Sequence, residues 1–371
     1  MSKKISVLVF AAIILLIPLA SVLSPYRTIS EDENRALTSF PVFNFDEFTS
    51  KRFMHNFDSF VSDHIVLRDG WTTVKAEATT LLGKRDNKGV YLGDNCLIEN
   101  LSSPKESLWR PNLEAINTFA ARTRNPAFLL LAPTAGEIER DKLPPYAQTY
   151  NQASFIRSVG RQLKGVSLID TVKNLSAHKS EYIYYRTDHH WTSLGAYYAY
   201  SAAGKLLGYD PLPKSGFRIE RATTAFNGTL YSKSGYRNIT PDAIDFYTPK
   251  SGPVLKQLNI GLGSKPKQYT SIYFRNFLKV KDKYSVFFDG NQPLEDIRTN
   301  SVGKRLLVIK DSYAHSLVPF LMNHYSRITM VDTRYLLQPL DQTVNLRNYD
   351  QILFVYNVDT FATDQTIPNI N

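Results

Sequence analysis

Lys304-Arg-Leu-Leu-Val-Ile-Lys-Asp-Ser-Tyr313 decides how the rest of the chain is read. Residues 305–309 form a short, mostly apolar run, which predicts a core strand. Asp311-Ser312 ends it in a sharp turn, and residues 315–325 beyond the turn predict a helix. A strand buried on both faces reads as a continuous apolar run rather than an alternating one. Ala127-Phe-Leu-Leu-Leu-Ala132 has the same character. Residues 166–169, 328–331 and 352–356 read as further strands. Residues 111–124, 152–164 and 192–207 read as helices, the last capped by Thr192 or Ser193 and stopped by Gly208. Such strand–helix alternation implies an α/β fold with a mainly parallel sheet, flanked by helices on both faces. Ligands in these folds sit beyond the carboxyl ends of the strands. Ser312 is placed there, directly after its strand.

The chain has 371 residues, 43% of them apolar and 12% aromatic, enough for a substantial core. Met1-Ser-Lys-Lys4 is basic, and residues 5–23 follow without a charge. That length approaches the ~20 residues a membrane-spanning helix needs. The two lysines should stay cytoplasmic, so the remainder lies outside. An uncleaved anchor is expected over residues 1–24. A cleavable signal peptide is the rival reading, although residues 20–24 lack a clean A-x-A site. Residues 25–85 read as a stalk and helical region, in which Phe53, Phe57, Phe60 and Val61 share one helical face. Residues 86–371 read as the main domain, with a hairpin or short strands around 90–92 and a β-rich insertion over about 209–290. Cys96 is the single cysteine, so no internal disulfide forms. The net charge of +10 favours anionic wall polymers, acidic polysaccharides or lipid headgroups, or is simply a basic soluble surface. No nucleic-acid motif accompanies it.

Asp188-His189-His190-Trp191 carries the chemistry. In an extended or turn conformation residues i and i+2 point the same way, so the Asp188 carboxylate can reach the His190 ring. A carboxylate that accepts from Nδ1–H leaves Nε2 free as a base. Ser312 is the candidate nucleophile, activated by that base. Its N–H near the next helix's N-terminus is a candidate oxyanion donor. The bland reading of Ser312 alone is an N-cap serine. His189 should point elsewhere. Adjacent histidines also suggest a metal, but no third and fourth ligand stands at a recognisable spacing. Trp191 is expected to pack under the loop.

These residues resemble the DHHW family of exported bacterial proteins, related to the alginate O-acetylation proteins AlgJ and AlgX. Glu33-Asn-Arg35 with Pro41, Asp63-His64, Arg68-Asp69, Gly228-Thr-Leu-Tyr-Ser-Lys-Ser-Gly235, Gly290-Asn291 and Asp332-Thr-Arg-Tyr335 follow the family's order. The resemblance implies an SGNH-hydrolase-like fold with a circularly permuted motif order, because Asp and His here precede Ser. It implies a catalytic triad of Ser312, His190 and Asp188. It points to Asn291 and Gly228 as oxyanion helpers, against bland readings as turn residues. Arg334 is read either as a substrate contact or as a structural ion pair.

The function expected is extracytoplasmic O-acetyl transfer to a cell-surface or secreted polysaccharide or cell-wall glycan through an acyl-serine. No cofactor is expected. A membrane-bound O-acyltransferase partner would supply the acetyl group from the cytoplasm. A carbohydrate acetylesterase would use the same residues with water as acceptor. A non-catalytic glycan-binding scaffold of an export complex would use none of them.

Overall fold

The computed structural model describes residues 3–30, 35–263 and 265–371. The chain divides into two compact units, residues 1–88 with 231–238 and residues 89–230 with 239–371.

The larger unit is built on one eight-stranded sheet. Its strands are β1 (Ala127–Ala132), β2 (Val166–Ile169), β3 (Leu255–Ile260), β4 (Lys267–Tyr269), β5 (Leu294–Thr299), β6 (Lys304–Lys310), β7 (Tyr325–Val331) and β8 (Gln351–Asn357). Their order across the sheet is β4-β3-β5-β7-β6-β8-β1-β2. From β7 to β2 all neighbours run parallel, and β5, β3 and β4 continue the sheet antiparallel. The central parallel strands β1, β6 and β8 carry unbroken apolar runs because both faces are covered. Phe128, Leu130, Leu306, Val308, Leu353 and Val355 enter one core with the helices Ser193–Leu207 and Ala314–Leu321. Leu129, Leu131, Leu307, Ile309, Ile352 and Phe354 enter the other, against Glu106–Arg122, Gln152–Gln162 and Val358–Thr363. Alternate side chains of a strand point to opposite faces, so each run serves both cores.

Several boundaries differ from the sequence reading for local reasons. The helix predicted from residue 111 begins at Glu106 and carries Pro111 inside it. The helix predicted over 315–325 ends at Leu321, because Tyr325 already opens β7. Helix Ser193–Leu207 agrees closely: Thr192 Oγ1 accepts from the Gly195 N–H at 3.2 Å, and Gly208 closes it at φ 78°. The segment read as a β-rich excursion over 209–290 is only partly one. Phe217–Phe226 and Asp242–Pro249 form a separate antiparallel pair, but β3 and β4 return to the main sheet.

The smaller unit is mostly helical: Lys3–Leu23, Phe45–Thr49, Arg52–His64 and Arg68–Leu81. Lys4–Leu23 has a mean hydropathy of 2.8, none of it buried, and is long and apolar enough to cross a membrane. Glu33 and Asn34 of the N-terminal motif lie outside the described residues. Arg35 and Asp63 meet in a charge-assisted pair, and Thr38 donates to the same carboxylate through N–H and Oγ1, both at 2.9 Å. Those bonds, Arg35 first, hold the Asp63 carboxyl well below the usual range against the effect of burial. Arg68 lies 3.5 Å from Asp63 and Arg27 3.3 Å from Asp69. Arg35, Asp63, Arg68 and Asp69 of the scattered motifs are thus linked to one another within this unit.

Candidate active site

The site lies at the carboxyl end of β6. Lys310 pairs with Val355 of β8, and the chain then turns at Asp311-Ser312 before helix Ala314–Leu321. Asp311 fixes the turn. Its carboxylate accepts from the Tyr313 N–H at 2.9 Å and from Asn357 N–H and Nδ2 of β8, both at 2.8 Å. Ser312 is left half-buried at the open end of the sheet.

The second half of the site is a loop that closes on itself. Tyr184 pairs with Trp191, and the Tyr185 N–H donates to the His190 carbonyl at 3.2 Å. Buried Asp242 holds the loop from outside, accepting from the Arg186 N–H at 2.7 Å and the Thr187 N–H at 2.8 Å. Asp188 then bends back onto His190: Oδ1 accepts from the His190 N–H at 3.0 Å and stands 2.6 Å from Nδ1. His190 Nε2 stands 2.7 Å from Ser312 Oγ, although 122 positions separate the two residues. The line from carboxylate to imidazole to hydroxyl is complete.

Both ends of this line are reinforced. Asp188 Oδ2 accepts from Thr229 N–H at 2.8 Å and Oγ1 at 3.0 Å. Tyr284 stacks on His190 with ring centres 3.9 Å apart and 12° between planes, and its hydroxyl donates to the Ser312 carbonyl at 3.2 Å. Trp191 is fully buried, and its indole N–H donates to the Tyr313 carbonyl at 3.1 Å, packing under the loop. Tyr313 is likewise buried, its hydroxyl donating to the His189 carbonyl.

Burial first, then the neighbouring His189, pushes the His190 imidazole down to about 4, even with Asp188 pulling the other way. Arg334 acts in the same downward direction as His189. The ring is therefore neutral at physiological pH, with Nε2 able to take a proton. Burial raises the Asp188 carboxyl, but His189, His190 and the Thr229 N–H outweigh it and keep it ionised.

The remaining candidates fall in different places. Gly228 is held against Asp188 so tightly that a Cβ would lie 2.3 Å from the Asp188 Cβ. Its N–H donates to Thr187 Oγ1 at 3.0 Å in a buried bond. The expected oxyanion role of this N–H is therefore corrected: Gly228 makes room for the carboxylate, and its amide is already engaged. Asn291 follows three residues with positive φ, Phe288 to Gly290, and its Nδ2 donates weakly to the Tyr335 hydroxyl at 3.4 Å. Arg334 forks onto Asp332 at 2.7 and 2.9 Å. Asp332 in turn lies 3.6 Å from the fully buried Lys310, which also faces Glu295 at 3.6 Å and His315 Nε2 at 2.6 Å. Burial pushes the Glu295 carboxyl up to about 8. Cys96 is buried and its thiol is pushed up to about 12, first by burial.

Asp188, His189 and His190 offer ligand atoms within 4.8 Å of one another. The atoms are already committed: His190 Nδ1 to Asp188, His190 Nε2 to Ser312, and His189 Nδ1 to Thr229 Oγ1 at 2.8 Å. A metal there would have to displace the bonds that make His190 a base. Thr187, Thr229, Asp242 and Tyr284 were not anticipated from sequence. Thr229 alone had a signal, since it adjoins Gly228 in a motif already singled out.

The family model described as DHHW protein matches residues 128–331, which include Asp188 to Trp191 and Ser312. A crystal structure of a DHHW family protein from Eubacterium siraeum is similar with a TM-score of 0.67 and 26% identity, over 76% of this chain and 95% of that one. Bacillus cereus PatB1, solved with a sulfonyl adduct, is similar with a TM-score of 0.63 and 20% identity, over 74% of this chain and 96% of that one. The O-acetyltransferase domain of Pseudomonas putida AlgJ has a TM-score of 0.47 and 16% identity, over 75% of this chain and 94% of that one. None of the curated proteins compared with the chain matches it.

Proposed function

The chain belongs to the DHHW family, and from that premise we propose that it transfers an acetyl group to a hydroxyl of an extracytoplasmic polysaccharide or cell-wall glycan through an ester on Ser312. The observation that carries the reading is the hydrogen-bonded line from Asp188 through His190 to Ser312 Oγ. In the first step Oγ attacks the acetyl carbonyl carbon of the donor while its proton passes to His190 Nε2. Collapse of the tetrahedral adduct breaks the bond to the donor's leaving group, which takes that proton. In the second step a sugar hydroxyl attacks the acetyl-serine, gives its proton to Nε2, and Ser312 Oγ leaves and recovers it. Asp188 stabilises the imidazolium formed in each step.

The Asp311 N–H donates to the Val355 carbonyl, and the Tyr313, Ala314 and His315 amides are engaged by Asp311 and Ser312, so we assign the Ser312 N–H to the oxyanion, with Asn291 as a second donor. Arg334 adds positive charge on that side. No resident cofactor enters this scheme. The donor is an acetyl carrier at the membrane, a membrane-bound O-acyltransferase, and the N-terminal helix keeps the chain close to it. The order Asp188, His190, Ser312 reverses that of ordinary SGNH hydrolases and fits a permuted arrangement. A sulfonyl adduct of the kind held by PatB1 is expected here on Ser312.

The test is incubation of the purified protein with 4-nitrophenyl acetate, with and without glycan oligosaccharides. Mass spectrometry follows the acetyl-enzyme and the acceptor. Ester release that requires Ser312 and yields acetylated oligosaccharide supports the proposal. Release with no acceptor modified, across several glycans, points to an esterase. No difference between wild type and Ser312→Ala overturns the catalytic reading for this donor.

A further inference from the structure

Helix Arg68–Leu81 is built the wrong way round for water. Leu67, Trp71, Val74, Ala78 and Leu81 recur at intervals of four, three, four and three residues, which draws one stripe along a helix. The whole stripe is exposed, with Leu67 at 74%, Trp71 at 50% and Leu81 at 89%. The opposite side carries Thr72, Thr73, Ala76 and Thr80, and on this small, polar side Ala76 is buried and the threonines are half-buried. Ala76 is fully buried, and a Cβ placed on Gly235 would lie 3.6 Å from its Cβ. Amphipathic helices of soluble proteins do the reverse. A contiguous apolar surface left outward marks a medium or partner other than water.

The stripe begins against the apolar helix Lys3–Leu23. Ser21 Oγ accepts from the Val66 N–H at 2.9 Å. Leu67 lines an apolar cavity of about 810 Å³ together with Ile17, Val22, Phe60 and His64. This packing fixes a depth. Twenty helical residues, Lys4–Leu23, rise about 30 Å, the thickness of the hydrocarbon layer. Ile17 lies about 9 Å inside the outer end of that helix by the same rise. Side chains packed around Ile17 and Ser21 therefore stand at or just below the outer headgroups when the helix spans. Tryptophan side chains and the apolar faces of amphipathic helices settle at that depth.

We propose that the smaller unit is bound to the lipid bilayer along its surface, with helix Arg68–Leu81 lying in the outer headgroup layer and its Leu67–Leu81 stripe turned into the acyl chains. The inference rests on the reading that the N-terminal helix stays in the membrane. The unit then has two attachments: the spanning helix supplies retention, and the stripe supplies orientation. The stripe serves lipid rather than an anionic surface, since its members are all uncharged.

The test uses the full chain reconstituted into phosphatidylcholine vesicles. Trp109 and Trp191 are buried in the larger unit, so the difference in emission between wild type and Trp71→Phe isolates Trp71. Lipids brominated near the headgroup end of the acyl chain are expected to remove most of the Trp71 emission, while aqueous acrylamide quenches it several-fold less than free tryptophan. In the Leu67→Gln, Val74→Gln, Leu81→Gln variant, which alters exposed positions only, acrylamide access should return while the protein still floats with the vesicles. A chain that floats with Trp71 open to acrylamide overturns this inference and leaves the anchor standing. A Trp71 shielded from both quenchers means that protein covers the stripe, which also overturns it. A chain that does not float overturns the anchor and this inference together.

Discussion

Two helices of similar length treat their apolar residues in opposite ways. Ser193–Leu207 buries Ala196, Ala199, Tyr200, Ala203 and Leu207 against the sheet, each at 1% exposure or less. Arg68–Leu81 buries Ala76, covers its threonines only in part, and turns Trp71, Val74 and Leu81 outward. Periodicity predicts that each helix has an apolar face. It does not say which medium that face meets. The first helix is answered by a sheet whose own side chains need cover. The second follows a helix fit for hydrocarbon, and its apolar face matches that surrounding instead.

The contrast can be sharpened or broken by substitution. Ser312→Ala should have the largest effect, lowering acyl-enzyme formation by ~10⁴-fold or more, as loss of a triad nucleophile does elsewhere. Single-turnover mass spectrometry reads it, and an unchanged burst would remove the chemistry from the larger unit. Leu353→Ala, in a fully buried strand, should cost ~2–5 kcal/mol in denaturant unfolding. A cost near zero would mean that this core is not the one packed here. The pH dependence comes next. His190 must be neutral to act, and its imidazole is pushed down to about 4. The rate should stay flat as pH falls from neutrality and drop only as pH passes through about 4. At pH 5 it should exceed that of an ordinary imidazole, with pKa near 6.5, by about 30-fold. An acid limb centred near 6.5 would show that the ring is solvated rather than buried. Gly228→Ala forces a Cβ to 2.3 Å from the Asp188 Cβ and should cost ~1–3 kcal/mol, with a matching loss of rate. Equal activity in this variant would show that the Asp188 loop yields without consequence. Leu81→Ala should have the smallest effect, within ~0.5 kcal/mol of wild type in detergent-free buffer. A penalty like that of Leu353→Ala would erase the difference between the two helices.

Much of the larger unit was legible because its signals are local. The runs at 127–132 and 306–309 are apolar without alternation, and a parallel strand covered on both faces requires that pattern. Asp188 and His190 were legible as a pair because two residues separate them in a turn. The meeting of His190 with Ser312 rests on the strand-to-turn position of Ser312 together with the family resemblance. Residues acting through distant contacts were not legible. Tyr284 lies in a 3₁₀ turn with nothing in its neighbourhood to announce that its ring covers His190. Asp242 opens an ordinary-looking strand, yet its carboxylate clamps the Arg186-Thr187 backbone from more than fifty residues away. The place of Gly228 against Asp188 is not legible either, because a glycine in a turn and a glycine in a tight approach look alike in one dimension. Strand β5 is not legible because Leu294-Glu-Asp-Ile-Arg-Thr299 holds three ionisable residues. Buried Glu295, its carboxyl pushed up to about 8, faces Lys310, and Asp296 pairs with Arg327, so polar residues that argue against a core strand are held inside one.

The buried thiol of Cys96 has a practical consequence for spectroscopy. With its pKa pushed up to about 12, hardly any thiolate exists at neutral pH, and it is the thiolate that reacts with maleimides and nitroxide reagents. A cysteine introduced at an exposed position such as Leu81 or Val302 would be the single reactive sulfur in the chain. The protein therefore accepts one site-chosen spin or fluorescent label with its native cysteine left in place.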